Sequence, residues 1–413
     1  METSELKVDE TYLFEKINKS SEVGKTANNG LYRLALTHED KLIRDDFISW
    51  MKEESLDVRV DDFGNIYGRR KGINNEASPI VIGSHLDTQP YGGRFDGVLG
   101  VLGGLSVIKT LNDYNIETER PIELINFTNE EGARFPQPMV ASGGLIGEFK
   151  KSYIYNLADN EGTTYEEALE HINYKGLESQ RIKEAHSFLE LHIEQGPVLE
   201  NEHKDIGIVQ GIQGMTWLSI NIKGLSNHAG STPMQDRKDA FHKATAVIQD
   251  IYEIAEKHKG LNITIGKVDV SPNVPNVIPG EVQFIVDIRH QNKGVLTECQ
   301  TKIEQFIAAV SNEQDYQATV SVDWAAKPTV FANNVTQVIK ESTESLKYSN
   351  LEMYSGPGHD AKHMAGMTDT GMIFVPSHKG ISHNEAELTY DKHIIQGVEV
   401  LLKTVNKLAN NNK

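Results

Sequence analysis

Five side chains of metal-binding type stand in five separate segments: His85 in GSHLDT, Asp96 in GGRFDGVLG, Glu131 in TNEEGARF, His192 in LHIEQGP and His383 in SHNEAE. Each lies in a Gly-rich or polar stretch that follows an apolar run. Two divalent ions sharing one carboxylate need this inventory: two private ligands each and a bridging aspartate. Glu130, beside Glu131, is then free to take and return protons. The chemistry such a set could perform is metal-assisted hydrolysis.

Taken singly, each residue also has an ordinary reading. His85 and Asp87 share one side of an extended segment, so His85 could hold a metal while Asp87 orients its other ring nitrogen or its approach. Alone, the pair reads as a strand-end histidine capped by an aspartate. Asp96 could bridge two cations or N-cap the helix that follows it. Adjacent Glu130 and Glu131 repel unless cations or protons compensate, yet a solvated acidic turn looks the same. His192 in an apolar strand and His383 in a polar turn each read as hydrogen-bonded structural residues when isolated. The conjunction carries the metal reading. A second set comprises His228 in NHAG, Asn276 in PNVPNVIPG and Arg289 at the end of FIVDIRH. An arginine pairs bidentately with a substrate carboxylate, and His228 could polarise a carbonyl and stabilise an oxyanion. The plain alternatives are a surface salt bridge for Arg289 and turn residues for the others.

The elements that must position these side chains read as α/β. Pro79–Gly83 leads to His85, Pro121–Phe127 leads to Glu130 and Glu131, Phe188–Ile193 carries His192, and Met372–Val375 precedes the turn towards His383. Helical patterns lie between them, including Val98–Leu111. Another is N-capped by Thr37 and runs to about Ser55, with Leu42, Ile43, Phe47 and Met51 inward. This alternation predicts a largely parallel sheet, with functional residues beyond the carboxyl ends of its strands. Residues from about 211 read differently. Strand Trp217–Ile222 precedes a helix from about 235 to 259 with the stripe Ala240, Ala244, Val247, Ile248, Ile251 and Ile254. Strands Ile263–Val270 and Val282–Ile288, helix Leu296–Val310 and strand Thr319–Trp324 follow. The β-α-β-β-α-β order predicts a ferredoxin-like insert. A closing helix would turn Ile395, Val398, Leu401, Leu402 and Val405 inward. The expected architecture is therefore α/β with a discontinuous catalytic domain, 1–210 and 326–413, whose mixed, mostly parallel sheet is flanked by helices. The insert occupies 211–325.

With 413 residues, 38% of them hydrophobic, the chain can build a large core and two domains. Its 41 basic and 59 acidic residues give a net charge of -18, which repels phosphate backbones and argues against nucleic-acid binding. Cys299 is the only cysteine, so no intrachain disulfide forms, as in a reducing compartment. It lies in a helical pattern with Glu298, Gln300 and Lys302 and reads as an ordinary helix residue. METSELKVDE has no apolar signal core and no apolar run nears membrane-spanning length, so a cytoplasmic location without membrane contact is expected.

The strings GSHLDTQPYGGRFDGVLGVLGG, FTNEEGARF, LHIEQGPVLE, NHAGSTPM, PNVIPG, DIRH, GHDA and ISHNEAE together resemble the aminoacylase/carboxypeptidase superfamily of two-metal hydrolases. More closely, they are similar to its hydantoinase/carbamoylase branch, over essentially the whole chain. That branch includes N-carbamoyl-L-amino-acid hydrolases, allantoate amidohydrolases and some β-ureidopropionases. The resemblance implies that Asp96 bridges two ions, one taking His85 and His192 and the other Glu131 and His383. It implies Glu130 as general base, with Asp87 behind His85. It also implies that the insert is lid and dimerisation unit of a homodimer. His228, Asn276 and Arg289 would then reach an active site, their own or the partner subunit's, while Gln195 and the backbone around Gly358 line the substrate pocket. Zinc is the expected metal, with manganese, cobalt and nickel also suited to such ligands. The implied substrate is a small ureide or amide carrying a carboxylate. The implied reaction cleaves the ureido C–N bond of N-carbamoyl-L-amino acids, giving amino acid, carbon dioxide and ammonia. Allantoate hydrolysis is the alternative, and N-acyl-amino-acid or peptide hydrolysis a further one. Leu388 and Ala141 stand where the branch often has an aromatic and a glycine, which bears on substrate preference. A non-catalytic scaffold is a reading of another class; retention of Glu130 argues against it.

Overall fold

A computed structural model describes residues 6–410, so Met1–Glu5 of the acidic N-terminal stretch lie outside the described residues. The chain divides into two compact units, one of the residues up to Gly211 and from Val330 on, the other Ile212–Thr329. The strands begin with β1 (Asp57–Val60), β2 (Ile66–Arg70), β3 (Ile80–His85), β4 (Ile122–Phe127), β5 (Ser187–Ile193) and β6 (Ile206–Ile212). Next come β7 (Gly214–Lys223), β8 (Asn262–Ser271), β9 (Glu281–His290) and β10 (Gln317–Ala326), then β11 (Thr329–Val330), β12 (Asn350–Ser355) and β13 (Asp369–Val375).

The sheet of the first unit has the order β1-β2-β4-β3-β5-β13-β6-β11, with β12 also on β6. Its centre is parallel, β4 to β3, β3 to β5 and β5 to β13. Antiparallel partners flank that centre: β2 beside β4, β1 beside β2, and β6 beside β13. Every residue of β3, β4 and β5 is buried. That is the condition of central strands covered on both faces, and it explains why apolar residues dominate all three. The flanking DVRV and IYGRR strands are short and charged and carry no apolar run that would mark them in the sequence.

The helix His38–Glu53 is capped by Thr37, whose side chain accepts from Asp40 N–H. Ile43, Phe47, Trp50 and Met51 form its buried stripe, at i, i+4, i+7 and i+8. Leu42, expected inward, is 43% exposed. It lies one residue, hence about 100°, off that stripe. Arg44 is buried there instead, paired with Asp40 at 2.7 Å. The closing helix Asp391–Asn410 likewise buries Ile394 fully and Ile395 only in part.

The second unit is a four-stranded antiparallel sheet, β10-β7-β9-β8, with helices Ala240–Lys257 and Lys293–Ser311 after β7 and β9. The first of these helices starts at Ala240 rather than near 235, because Asp239 accepts from Phe241 and His242 N–H and so sets the N-terminus. Its stripe packs against Leu218, Ile220, Val282, Phe284 and Val286, with Ile248 only partly buried. Cys299 is buried in the second helix. Among the described residues no helix is long and apolar enough to cross a membrane.

Candidate metal centre and active site

His85 ends β3, and its Nδ1 lies 2.9 Å from the backbone carbonyl of Asp87. That ring N–H donates to the carbonyl, so Nε2 offers its lone pair to the cleft. The orienting group is thus the main chain of Asp87, which corrects the expectation for its side chain. The Asp87 carboxylate is 3.9 Å from Nδ1. It accepts instead from the backbone N–H groups of Glu130 and Glu131, each at 3.3 Å, and joins the loop after β3 to the loop after β4. His192, within β5, directs Nδ1 to the Ile193 carbonyl at 2.9 Å, while its Nε2 accepts from Gly97 N–H at 3.2 Å.

The two Nε2 atoms converge on Asp96 Oδ1, at 3.8 Å for His85 and 3.2 Å for His192. The other oxygen, Oδ2, is 3.4 Å from His383 Nε2, which is 3.5 Å from Glu131 Oε2. Asp96 is not the N-cap of the helix Val98–Asp113; Gly97 holds that place, with φ 65°. A Cβ at Gly97 would lie 2.4 Å from the His85 ring, so only glycine admits this approach.

The result is two ligand groups, His85–Asp96–His192 and Asp96–Glu131–His383, each with its ligand atoms within 4.8 Å of one another. They share Asp96. Three imidazole nitrogens and two carboxylates, with two of the rings already oriented by carbonyls, fit a pair of divalent ions. A third group, Glu190–His192–His359, draws on His192, whose Nδ1 is turned to the Ile193 carbonyl and whose Nε2 already faces Asp96 and Gly97 N–H. It is therefore not an independent centre. Glu190 instead accepts from Ser84 Oγ at 2.6 Å and Ala361 N–H at 3.1 Å.

Glu130 is buried, with Oε2 3.6 Å from His85 Nε2. Burial first, then Asp360 and Glu131, hold its carboxyl well above the ordinary range. Burial and Asp96 push Glu131 up to about 8, and burial and Asp40 push Asp87 up to about 7. Asp96 goes the other way: burial opposes its charge, but hydrogen bonds to His192 and His383 hold it well below the usual range. His192, despite burial, and His383, bonded to Asp96, both rise to about 9. The cleft has more carboxylates than cations, and protons supply the missing positive charge.

A group whose folded-state pKa exceeds its unfolded value stabilises the fold while protonated, and that contribution is lost as pH rises through the folded value. For Asp87, Glu131, His192 and His383 those values are about 7, 8, 9 and 9. Ion-free protein is accordingly expected to lose Tm between pH 6.5 and 9. Ion-loaded protein should lose much less, because bound cations remove the need for those protons. Thermal melts across this window, with and without chelator, check it; parallel curves would count against charge compensation by the ions.

Gln195, expected to line the substrate pocket, is bonded to the ligand candidates themselves. Its Nε2 donates to Asp96 Oδ2 at 2.8 Å and lies 3.2 Å from Ser382 Oγ and 3.4 Å from His383 Nε2. Gly358 is exposed and precedes buried His359, whose ring is 4.4 Å from that of His192. Three further residues escaped the sequence reading. Gln89 holds both Glu131 oxygens, through its backbone N–H at 3.1 Å and its side-chain amide at 2.9 Å. Arg33, fully buried, donates to the Leu86 carbonyl at 2.8 Å. Glu387 accepts from the backbone of Phe95 and Asp96. Gln89 and Glu387 lie inside the quoted strings, but residue type alone does not reveal a partner; Arg33 carries no local signal.

His228, Asn276 and Arg289 belong to the second unit, and the five ligand candidates to the first. His228 Nδ1 accepts from Gly230 and Ser231 N–H at 3.0 and 3.2 Å, which leaves the ring hydrogen on Nε2 as a donor. The Asn276 carbonyl accepts from Ala229 N–H at 3.0 Å, so the two loops are joined. Arg289 donates to Asp287 at 2.8 Å, the salt bridge of its plain reading.

Residues 81–407 match the family model for peptidase family M20/M25/M40. The chain is 37% identical over 404 residues to an N-carbamoyl-L-amino-acid amidohydrolase of Rhizobium meliloti, covering 98% of this chain and 97% of that one. It is 33% identical over 392 residues to an allantoate amidohydrolase of Bacillus subtilis (strain 168), covering 94% and 95%. A solved amidase of the hydantoinase/carbamoylase family from Burkholderia multivorans superposes with a TM-score of 0.95 at 41% identity, covering 98% and 99% of the two chains.

Proposed function

The chain belongs to peptidase family M20/M25/M40, and within it we propose a two-metal amidohydrolase that cleaves the ureido C–N bond of N-carbamoyl-L-amino acids. It is a hydrolase of carbon–nitrogen bonds other than peptide bonds. The observation that carries the reading is the meeting of two ligand groups on Asp96, with Glu130 3.6 Å from His85 Nε2 and outside both groups.

In this reading His85 and His192 would hold one ion with Asp96, and Glu131 and His383 the other with the same aspartate. Bound there, the ions, zinc first among those suited, supply Lewis acidity to the attacking water and the scissile carbonyl. Glu130 takes the proton of that water and returns it to the leaving nitrogen. Asp87 keeps the Glu130–Glu131 backbone in place by accepting a hydrogen bond from each of their N–H groups. His228 presents Nε2–H as a donor to the developing oxyanion, with Asn276 beside it. Arg289 exchanges part of its pairing with Asp287 for the substrate carboxylate. Gln195 and the Gly358 backbone border the substrate. The second unit acts as lid and dimerisation element of a homodimer.

The test is ammonia release by metal-reconstituted protein. The panel holds N-carbamoyl-L-amino acids, their D-forms, N-carbamoyl-β-alanine and allantoate, with N-acetyl-amino acids and dipeptides followed by amino-acid release. The highest kcat/KM is expected on the L-carbamoyl substrates. A preference for allantoate would install the second reading, which the 33% identity to an allantoate amidohydrolase keeps in view. Loss of a charged hydrogen bond of about 1.5–3 kcal/mol makes Arg289→Ala raise KM roughly ten- to a hundredfold, with metal content unchanged. An unaltered KM removes Arg289 from the carboxylate site.

A further inference from the structure

His383 is the ligand candidate least supported by its own element. It stands in a loop with φ 52°, and its side chain is 49% exposed. Two nearby carboxylates anchor that loop in opposite directions. Glu387 points inward and is buried. Its Oε1 accepts the backbone N–H groups of Phe95 and Asp96 at 3.1 and 3.2 Å, and its Oε2 accepts Ser382 Oγ at 2.9 Å. Ser382 Oγ is also 3.2 Å from Asp96 Oδ2. A Cβ on Gly93 would fall 2.0 Å from Glu387 Oε1, so the second glycine of GGRFDG makes room for this carboxylate. Glu385 points outward, to Thr26 Oγ1 and, at 2.8 Å, to Asn28 Nδ2. That N-terminal segment is itself tied to the Asp96 loop, since Leu31 and Gly92 exchange two backbone hydrogen bonds of 2.9 Å.

Glu387 belongs to none of the three ligand groups, so its burial has no metal to account for it. The bonds it makes instead run from the loop of His383 to the loop of Asp96. We propose that Glu387, backed by the Glu385–Thr26–Asn28 clamp, is a positioning residue that fixes His383 against Asp96 and thereby sets the affinity of the second ion position, Asp96–Glu131–His383. The first position shares Asp96 but draws its other ligands, His85 and His192, from the central strands β3 and β5, so it loses no ligand with the His383 loop. The inference rests on the two-ion reading above.

Calorimetric zinc titration of chelator-stripped protein, with metal content after dialysis, separates the two positions. The parent is expected to bind two ions. Glu387→Ala is expected to keep one tight ion and to weaken the other by about ten- to a hundredfold, the usual cost of losing support behind a ligand. Glu387→Gln should recover most of that affinity, since its carbonyl oxygen still accepts both backbone N–H groups and its amide can donate to Ser382. The double variant Thr26→Val/Asn28→Ala leaves the buried carboxylate untouched and should weaken the same ion by a smaller factor, which serves if the alanine variant does not fold. Equal weakening of both ions, or an unchanged second ion in these variants, overturns the proposal. A parent that binds fewer than two ions overturns the two-ion reading with it.

Discussion

Glu130→Gln is expected to bind two ions as the parent does and to lower kcat by about two to four orders of magnitude, the range for removal of a general base. The substitution keeps the shape of the side chain and removes its ability to take a proton. Glu130 lies outside both ligand groups sharing Asp96, so ion binding does not require it. It is nonetheless buried in the cleft, 3.6 Å from His85 Nε2. The carboxylates that raise its pKa in the ion-free state, Asp360 and Glu131 after burial itself, are the charges that bound cations offset. Because the proton moves only on the way to the transition state, kcat and kcat/KM should fall together. Metal stoichiometry and kcat measured on one sample decide the matter. Parental kcat would remove Glu130 from the role of base, whereas loss of an ion would make it a ligand.

Asp96→Ala is expected to weaken both ions at once and to abolish turnover. Asp96 is the one residue common to the two groups, with Oδ1 towards His85 and His192 and Oδ2 towards His383. Its removal takes a ligand from each ion and the counter-charge from three imidazoles. The thermal increment on adding zinc, which follows the binding constant by mass action, should nearly vanish. Asp96→Asn keeps the volume and one carbonyl oxygen, so it should retain part of that increment. A variant that loses one ion and keeps the other at parental affinity would make Asp96 a private ligand rather than a bridge.

Much of this molecule could be read from residue type and local period. The strands Ile80–His85, Ile122–Phe127 and Ser187–Ile193 are buried from end to end and mostly apolar because central strands are covered on both faces, the polar side chains among them being buried as well. A reader of the sequence can therefore place them, and with them His85, Glu130, Glu131 and His192. The stripe Ala240, Ala244, Val247, Ile251, Ile254 announces its helix in the same way. Local period was less decisive at Leu42 against Arg44 and at Ile395 against Ile394. There a shift of one residue moves a side chain off the buried stripe, and only the packed neighbours select the register.

Residue type and local period marked the candidate ligands, the strands beside them and the βαββαβ order of the stretch that interrupts the first unit. Which groups hold which emerges only once the strands are paired. The Asp87 carboxylate spans to the amides of Glu130 and Glu131, Gln89 to Glu131, Gln195 to Asp96, and Glu387 to the backbone of Phe95 and Asp96. These bonds join segments from tens to hundreds of residues apart, brought together by the strand order of the sheet. For Asp87 and Glu387 the partners are backbone amides, which nearly every residue possesses, so residue type could not announce those pairings in advance; for Gln89 and Gln195 the partner is a side chain that only the strand order brings within reach.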